Sequence, residues 1–499
     1  MSLALENADR RIVPKWRSPA RTLVLHELSP TVVGDKKFDS RHLRQKIEDW
    51  SEKKGLSYAA DIISSAFVLG ETKNVQNIAE YVLKNSNEIP SGIKLIAHRV
   101  LGSKYAGDND PFAVKGTNSW EQIRFLKERL LSDPRDALLW IELARLYTIE
   151  GHSKHARRAA ENAVRLNGSD RFILRSAARF FVHIGEHDIA HQILQKSALV
   201  KTDPWVLAAE IAIAQIMAKD SRNIKLGHRL LNDLADHPFH TSELAGALAS
   251  VEFEAGELKK GRKLFRRALI RPTENSIAQA AWASRNISEI EIGQALLDEP
   301  SFHEARTIEY FFDGEWDESL SENELWCDDQ PFSSRATILA SYTLGTVRGD
   351  YGGSLSIALR GLNSNWDDPT LLNNVAFAHA SLNNTIEANR YLKRINVNSL
   401  RSAQAIAYLA TKGLILFREG EIDLGRSMYS EAIAKSAQLN YNRQRALASI
   451  YLTREEIVSK SGEKDKAFRL AEINSKKVKD LDVRALFDRL VANIDSGNF

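Results

Sequence analysis

The sequence is almost without cysteine, since Cys327 is the only one among 499 residues. A single thiol forms no intrachain disulfide, which suits a reducing compartment, so we expect a cytoplasmic protein. Cys327 follows Leu325 and Trp326 on an apolar stripe. A free cysteine in such a place behaves as a small hydrophobe, and this favours a packed thiol over a reactive one.

Long apolar runs are also missing, and none approaches the roughly 20 residues that a membrane-spanning helix needs. The N-terminal sequence MSLALENADRR lacks the apolar core of a signal peptide. We therefore expect no contact with a membrane.

Catalytic motifs are absent too. The chain has no Gly-x4-Gly-Lys-Ser/Thr loop, no His-Glu-x2-His, no Gly-x-Ser-x-Gly and no Cys-x2-Cys pair. A group of histidines comes nearest to a metal site, but surface histidines are far more often solvated than ligating. We expect no enzyme activity, no cofactor and no metal. The histidines are His152, His155, His183, His187 and His191.

Neither a strong net charge nor a strand pattern is present. The formal net charge is +3, which is too small to indicate nucleic acid by itself. No run of alternating Val, Ile and Thr predicts a β-strand. The chain must therefore build its core from helices.

The clearest helical pattern lies at 137–168, ALLWIELARLYTIEGHSKHARRAAENAVRLNG. Its first half predicts a helix with one apolar face, its second half predicts a helix with a stripe of alanines, and Gly151 permits a tight turn between them. The apolar face comprises Trp140, Leu143, Ala144 and Tyr147, and the small-residue stripe comprises Ala156, Ala160 and Ala163.

This pair of helices resembles the tetratricopeptide repeat (TPR), whose first helix carries Trp, Leu with a small residue, and an aromatic, and whose second helix carries spaced alanines. Ala160 departs from the family, which prefers a large aromatic there, and Gly168 stands near where the family places a proline. The resemblance implies an all-α, TPR-like α-solenoid, a right-handed superhelix of antiparallel helix pairs.

The pattern repeats in a divergent array at a period near 34 residues and predicts roughly a dozen helix pairs. Turns are expected at Gly151, Gly185, Gly256, Gly349, Asn383, Gly420 and Gly462. We expect a basic, proline-containing N-terminal arm at 1–38, N-terminal helical repeats at 39–134, central TPR-like repeats at 135–298, C-terminal TPR-like repeats at 299–480, and a C-terminal cap or tail at 481–499.

The N-terminal arm contains Pro14, Pro19 and Pro30, which exclude a long helix. Residues 1–21 hold five basic groups against two acids. One interpretation is a flexible tail. The other is an arm that docks on a partner, because Trp16 is costly to leave exposed.

A solenoid of this kind presents an extended concave face lined by the first helix of each pair. Positions outside the packing stripe include Ile141 and Thr148, together with arginines that suit carboxylates or phosphates. By the resemblance, asparagines within 370–396 hold the backbone of an extended peptide, since an amide both donates and accepts. The alternatives are a solvated face and, for Asn374, packing against the neighbouring helix. The candidate groove residues are Arg145, Arg175, Arg179, His183, Asn373 and Asn374.

Charge is segregated along the array. Residues 259–271 hold seven basic groups and no acid, whereas residues 299–330 hold eleven acids and one arginine. The alternatives are two solvated faces or a bipolar docking surface, because complementary fields steer and orient association. The candidate basic patch is Lys259, Lys260, Arg262, Lys263, Arg266 and Arg267, and the candidate acidic patch is Asp313, Glu315, Asp317, Glu318 and Glu322.

These features favour a non-enzymatic scaffold or adaptor subunit of a multi-protein complex, binding one or more proteins through the groove and the charged patches. The main alternative is a nucleic-acid-associated helical-repeat subunit, of a bacterial defence complex by analogy. It is not favoured, because aromatics for base stacking are not interleaved with the basic groups and the acidic segment interrupts a phosphate track. A peptide-sensing regulator is the third hypothesis and would need an output domain.

Overall fold

The computed structural model describes residues 14–18, 40–52, 54–69, 72–85, 91–102, 118–219, 221–286, 290, 292 and 302–497. All regular secondary structure in these ranges is helical, and they contain no strand. The protein is an all-α, TPR-like α-solenoid built from successive helix pairs. The sequence prediction of the fold class is therefore confirmed. The sequence also predicts a turn at Gly70 and a polar loop at 106–118, and these residues fall outside the described ranges, except for Asn118.

The chain divides into two compact units. The N-terminal unit comprises residues 11–148 and 153–276, and the C-terminal unit comprises residues 277–499 together with the turn 149–152. The boundary between 276 and 277 lies within a single helix, Glu274–Asn286. Each unit is described separately below.

Fourteen α-helices are described from Ser40 to Asn286. They are α1 Ser40–Glu52, α2 Leu56–Leu69, α3 Gln76–Lys84, α4 Ser91–Val100, α5 Ser119–Ser132, α6 Ala137–Ile149, α7 Ser153–Asn167, α8 Arg171–His183, α9 His187–Lys196, α10 Pro204–Ile216, α11 Ile224–Asp233, α12 Pro238–Glu254, α13 Leu258–Ala268 and α14 Glu274–Asn286.

The helix pair that organises the sequence forms as predicted. Gly151 has φ 72, a left-handed conformation that glycine adopts without a Cβ penalty, and it separates α6 from α7. Ala144 and Ala163 are fully buried, because small side chains allow neighbouring helices to approach closely. The other predicted packing residues Leu143, Tyr147, Ala156 and Ala160 are also buried, whereas Trp140 is half-buried.

Two residues of α6 contradict the sequence analysis. Ile141 is fully buried and Thr148 is 2% exposed, so the expectation that they line an open face is wrong. The physical reason is that α6 is apolar around most of its circumference, and a helix of this kind is covered on more than one side. Thr148 instead donates its hydroxyl to the carbonyl of Ala144 at 2.8 Å.

Eleven α-helices are described from His303 to Ser496. They are α15 His303–Asp313, α16 Trp316–Asp329, α17 Ser334–Tyr342, α18 Tyr351–Ser364, α19 Pro369–Ser381, α20 Thr385–Leu392, α21 Ser402–Arg418, α22 Ile422–Gln438, α23 Asn442–Val458, α24 Lys464–Ser475 and α25 Leu481–Ser496. A π-helical segment, Thr343–Arg348, continues α17.

Consecutive helices of the C-terminal unit pack on one another around one apolar core. The last helix, α25, contacts α15 and the π-helical segment as well as its sequence neighbours α23 and α24. It therefore returns to the beginning of the unit. The expected turn at Gly462 is present between α23 and α24, and its left-handed residue is Lys460, with φ 53.

Candidate partner-binding site

The first helices of three successive pairs, α8, α10 and α12, pack side by side in the N-terminal unit. We call the surface formed by these helices and the start of α14 the first-helix face. A buried ion pair joins α8 to the start of α10, where Arg171 Nε lies 2.5 Å from Asp203 Oδ2. Asp203 also accepts the backbone N–H of Trp205 at 2.9 Å and so caps α10. Burial lowers the pKa of Arg171, and the charge of Asp203 opposes that shift.

A second buried pair joins α8 to α12. Arg175 Nη2 lies 2.5 Å from Glu243 Oε2, and Thr273 donates to the same carboxylate at 3.2 Å. Arg171 and Arg175 both stack on the ring of Trp205, at 5.0 and 4.9 Å from its centroid. The network fixes three first helices to one another through charge and ring contacts.

The predicted groove arginines are placed differently from one another. Arg175 is 7% exposed and its charge is matched by Glu243, so it is not an open cation. Arg145 pairs with Glu142 of its own helix at 2.6 Å. Arg179 and His183 are half-buried on α8. The expectation that Arg145, Arg175 and Arg179 all lie outside the packed surface is therefore wrong for Arg175, although a role of these residues in binding stays a prediction.

The segment Pro14–Ser18 lies on the N-terminal unit in a non-helical conformation. The Trp16 side chain is fully buried, and its ring packs edge-on against Phe180 of α8, with centroids 6.1 Å apart. Lys15 Nζ lies 2.7 Å from the Glu274 carboxylate at the start of α14, and Arg17 contacts the same oxygen. The sequence was interpreted as a flexible tail or as an arm docked on a partner, and docking on the chain itself was not predicted.

The electrostatics of Glu274 reflect this docking. Burial alone would raise the pKa of its carboxyl group, but the charges of Lys15 and Arg17 outweigh burial and lower the pKa to about 2. The carboxylate thus stays charged although little of its side chain is exposed, because two cations face it. Glu274 follows Thr273 directly, which places the docked segment beside the buried network.

The predicted basic patch lies on α13, whose opposite side is buried through Gly261, Phe265 and Ala268. Lys259, Lys260, Lys263 and Arg266 are exposed, and we call these four residues the basic face. Lys260 also pairs with Glu257 at 3.3 Å. Arg262 is half-buried, and Arg267, likewise half-buried, donates to the carbonyl of Leu231.

The predicted acidic patch lies at the end of α15 and along α16 of the C-terminal unit. Four of its members, Asp313, Glu315, Asp317 and Glu318, are exposed. Asp317 contacts Arg348. Glu322 is only partly exposed and lies 2.8 Å from His303 and 2.9 Å from Arg306. The negative charge of this stretch is therefore partly matched within its own unit.

The two predicted groove asparagines are both buried in α19. Asn374 is fully buried and donates to the Ser341 hydroxyl at 3.0 Å, which fits the helix-packing alternative. Asn373 is 3% exposed, and its amide has no hydrogen-bond partner among the described residues. Binding of an extended peptide by either asparagine stays a prediction.

The helix α25 is held to the C-terminal unit through a buried triad. Asp482 Oδ2 accepts from Tyr342 at 2.6 Å and from Arg443 at 2.5 Å, and Arg443 also donates to the Tyr342 hydroxyl at 2.7 Å. Further along α25, Arg489 donates to the carbonyl of Val347 in the π-helical segment at 2.8 Å. Burial would raise the pKa of Asp482, but Arg443 and the hydrogen bonds lower it.

Cys327 and two of the histidines that the sequence singled out make contacts within the fold. Burial raises the pKa of Cys327 to about 11, and its Sγ lies 3.4 Å from the Asn323 side chain. His191 lies 2.9 Å from the buried Glu210, and His155 packs against Tyr147. Within the described ranges, no three His, Cys, Asp or Glu side chains are grouped to hold a metal ion. Among the described helices, none combines the length and apolar character that crossing a membrane requires.

The class that this architecture defines is a TPR-like helical-repeat protein. No protein-family model and no curated protein matches the chain. Among solved structures, the chain is similar to the APC/C hetero-tetramer Cut9–Hcn1, at 12% identity and a TM-score of 0.42, over 90% of this chain and 86% of that one. It is similar to yeast Tom70, at 12% identity and a TM-score of 0.31, over 89% and 97% of the two chains. It is also similar to the human IFIT1 dimer with m7Gppp-AAAA, at 12% identity and a TM-score of 0.37, over 74% and 97%.

Proposed function

We propose that the protein is a non-enzymatic scaffold that binds one or more partner proteins in a hetero-complex of the cytoplasm. The observation that carries this proposal is the basic face of α13, four exposed cations on a helix whose other side is buried. An array of charges held on a rigid helix steers and orients a partner of complementary charge. The partner surface that fits it is acidic.

The same basic face supports a second candidate function, binding of nucleic acid. Exposed lysines and arginines neutralise phosphates whatever the sequence, and the resulting affinity falls steeply with salt. One feature favours the protein partner. The aromatic residue of α13, Phe265, is fully buried, so the basic face offers no ring on which a base could stack.

The test begins with a partner captured by the full chain from its native host, identified by mass spectrometry and purified. Its affinity is then measured for wild type and for a variant with Lys259, Lys260, Lys263 and Arg266 changed to Ala. A matched control removes the same charge from exposed lysines of the C-terminal unit, by changing Lys464, Lys466, Lys476 and Lys477 to Ala. Substituting exposed residues leaves the fold of both variants intact.

We expect the basic-face variant to bind the purified partner about tenfold or more weakly, and the control to bind like wild type. Equal affinity of all three proteins would contradict the proposal. Generic DNA and RNA are titrated at two salt concentrations in parallel. Tight nucleic-acid binding that depends on the basic face and falls steeply with salt would establish the second candidate instead.

Arg175 is not a suitable probe of this function, although the sequence suggested it. Its removal would leave Glu243 buried without its charge partner, and breaking a buried ion pair from one side costs about 3–5 kcal/mol. A loss of binding would then report damage to the packing of α8 on α12.

A further inference from the structure

The five residues Pro14–Ser18 contact two helices of the first-helix face. Trp16 contacts Phe180 of α8, while Lys15 and Arg17 contact Glu274 of α14. Phe180 and Glu274 are far apart in the sequence, on α8 and at the start of α14. Because Lys15, Trp16 and Arg17 are consecutive, the two contact points lie close together in the fold, and the segment joins them.

The contacts follow the alternation of an extended chain. In such a chain, side chains at i and i+2 point to the same side, and the one between them points to the other. Lys15 and Arg17 accordingly share one carboxylate, and Trp16 turns to the aromatic side chain of α8. The ends of the segment, Pro14 and Ser18, are also buried.

We propose that the first-helix face of the N-terminal unit is a recognition site for an extended segment of a partner protein that carries an aromatic residue between two basic residues, and that Pro14–Ser18 occupies this site in cis. This inference rests on the proposed function as a protein-binding scaffold. It adds a second surface to the basic face and names the chemistry that the surface selects.

Each part of the segment has its own selective contact. The Phe180 contact accepts a large ring, because a fully buried aromatic contributes both apolar area and an edge-to-face interaction. The Glu274 carboxylate accepts two cations, and a segment without them would leave a largely covered carboxylate without a charge partner. A segment with acids in place of Lys15 and Arg17 is therefore rejected.

Docking in cis also lowers the apparent affinity of the face for a partner segment, because the two compete. A tethered segment competes at an effective concentration on the order of 1 mM. A free segment with the same contacts, present at micromolar concentration, displaces it only weakly. Removing the tethered side chains therefore raises the apparent affinity for a free segment by about tenfold or more, since the face no longer has to be vacated.

The test uses the full chain and a fluorescent synthetic peptide of residues 11–21, RIVPKWRSPAR. An opened variant carries Lys15→Ala, Trp16→Ala and Arg17→Ala, which remove the cis contacts and leave the first-helix face unchanged. The peptide is titrated against wild type and the opened variant. One control peptide replaces the tryptophan by alanine. A second replaces the lysine and the arginine on either side of the tryptophan by glutamates.

We expect the peptide to bind the opened variant about tenfold or more tightly than wild type, and both control peptides to bind at least about tenfold more weakly. Adding Glu274→Gln to the opened variant lowers the affinity, whereas Glu161→Gln, an exposed carboxylate of α7, does not. Circular dichroism confirms that each variant is folded. If Glu274→Gln perturbs the fold, the glutamate peptide supplies the same comparison with the site intact.

Three results would overturn the inference. The first is equal affinity of the peptide for wild type and for the opened variant. The second is a tryptophan-free peptide that binds as tightly as the 11–21 peptide. The third is a wild-type dimer that becomes monomeric in the opened variant, which would show exchange of the segment between two copies. The basic-face experiment is independent of these outcomes. If partner capture still depends on the basic face while the peptide fails to bind, the inference fails and the scaffold function survives.

Discussion

The two units of the chain each hold a segment from their own end, but the segments differ in size and in the way they are held. The N-terminal unit carries the five residues Pro14–Ser18 in a non-helical conformation. The C-terminal unit carries α25, a helix of 16 residues. The first contact consists mainly of one ring and two cations on one carboxylate. The second combines a buried ionic triad with the apolar side chains Val483, Leu486 and Leu490.

This difference separates an exchangeable contact from a structural one. A short segment buries little apolar area, so a competing segment with the same groups can replace it. The helix α25 completes the core of its unit, and its loss would expose both apolar side chains and buried polar groups. We therefore expect the N-terminal unit to bind partners at the place where its own segment lies, and the C-terminal unit to keep its helix.

The largest expected effect concerns the contact that holds α25 on the C-terminal unit. Arg443→Ala leaves Asp482 buried beside the Tyr342 hydroxyl without its cation, and this should destabilise the C-terminal unit by about 3–5 kcal/mol. The matched change in the N-terminal unit, Arg17→Ala, leaves Lys15 on Glu274 and should cost less than about 1 kcal/mol of global stability. Urea unfolding of both variants measures the difference. Equal losses would show that the two contacts are of the same kind.

The second prediction concerns pH. While the segment is docked the pKa of Glu274 is about 2, below its ordinary value of 4.5, because Lys15 and Arg17 overcome the effect of burial. The stabilisation is present above pH 4.5 and is lost as the pH falls towards 2. Affinity of the opened variant for the 11–21 peptide should drop about tenfold between pH 4.5 and pH 3. With Glu274→Gln added, the affinity should be lower and nearly independent of pH over this range.

A smaller effect probes how α25 is held. Tyr342→Phe removes the hydrogen bond to Asp482 and the one that Arg443 donates to the hydroxyl, but it keeps the Arg443–Asp482 ion pair, so it should cost about 1–2 kcal/mol. Amide hydrogen exchange within 481–496 should become faster, whereas exchange on α8 should not change. Unchanged exchange in α25 would mean that the tyrosine hydroxyl contributes nothing to its docking.

The smallest expected effect concerns the basic face. Changing Lys259, Lys260, Lys263 and Arg266 to Ala should alter stability by no more than about 0.5 kcal/mol, because these side chains are exposed on α13. Thermal melting compares this variant with wild type. A clear loss of stability would show that the residues support the fold, and the basic face would then lose its place as a docking surface.

Local patterns account for much of what the sequence predicted correctly. The alanine stripe of α7 and the left-handed turns at Gly151, Gly185 and Gly256 follow from spacing and from the backbone freedom of glycine. The turn predicted at Gly462 is also confirmed, although Lys460, two residues earlier, takes the left-handed conformation there. Helix boundaries of this kind depend on the packing of neighbouring helices as well as on composition.

The candidate site was harder to predict, because its contacts join residues far apart in the sequence. Lys15 and Glu274 are separated by 259 positions, and Arg175 and Glu243 by 68. Periodicity places a residue on a helix face but does not identify its partner across the fold. One signal was available, since Trp16 between two basic residues is costly to expose, yet nothing in the sequence indicated that the chain itself buries it.

The central claim is that Lys15-Trp16-Arg17 occupies the first-helix face of its own chain, and a zero-length cross-link tests it most directly. A carbodiimide joins an amine to a carboxylate only when the two groups are in contact, and Lys15 Nζ lies 2.7 Å from Glu274. We predict a Lys15–Glu274 cross-link in the monomeric fraction of the wild-type protein, identified by mass spectrometry and absent in Glu274→Gln. No such cross-link, or one found only in a dimeric fraction, would contradict the account.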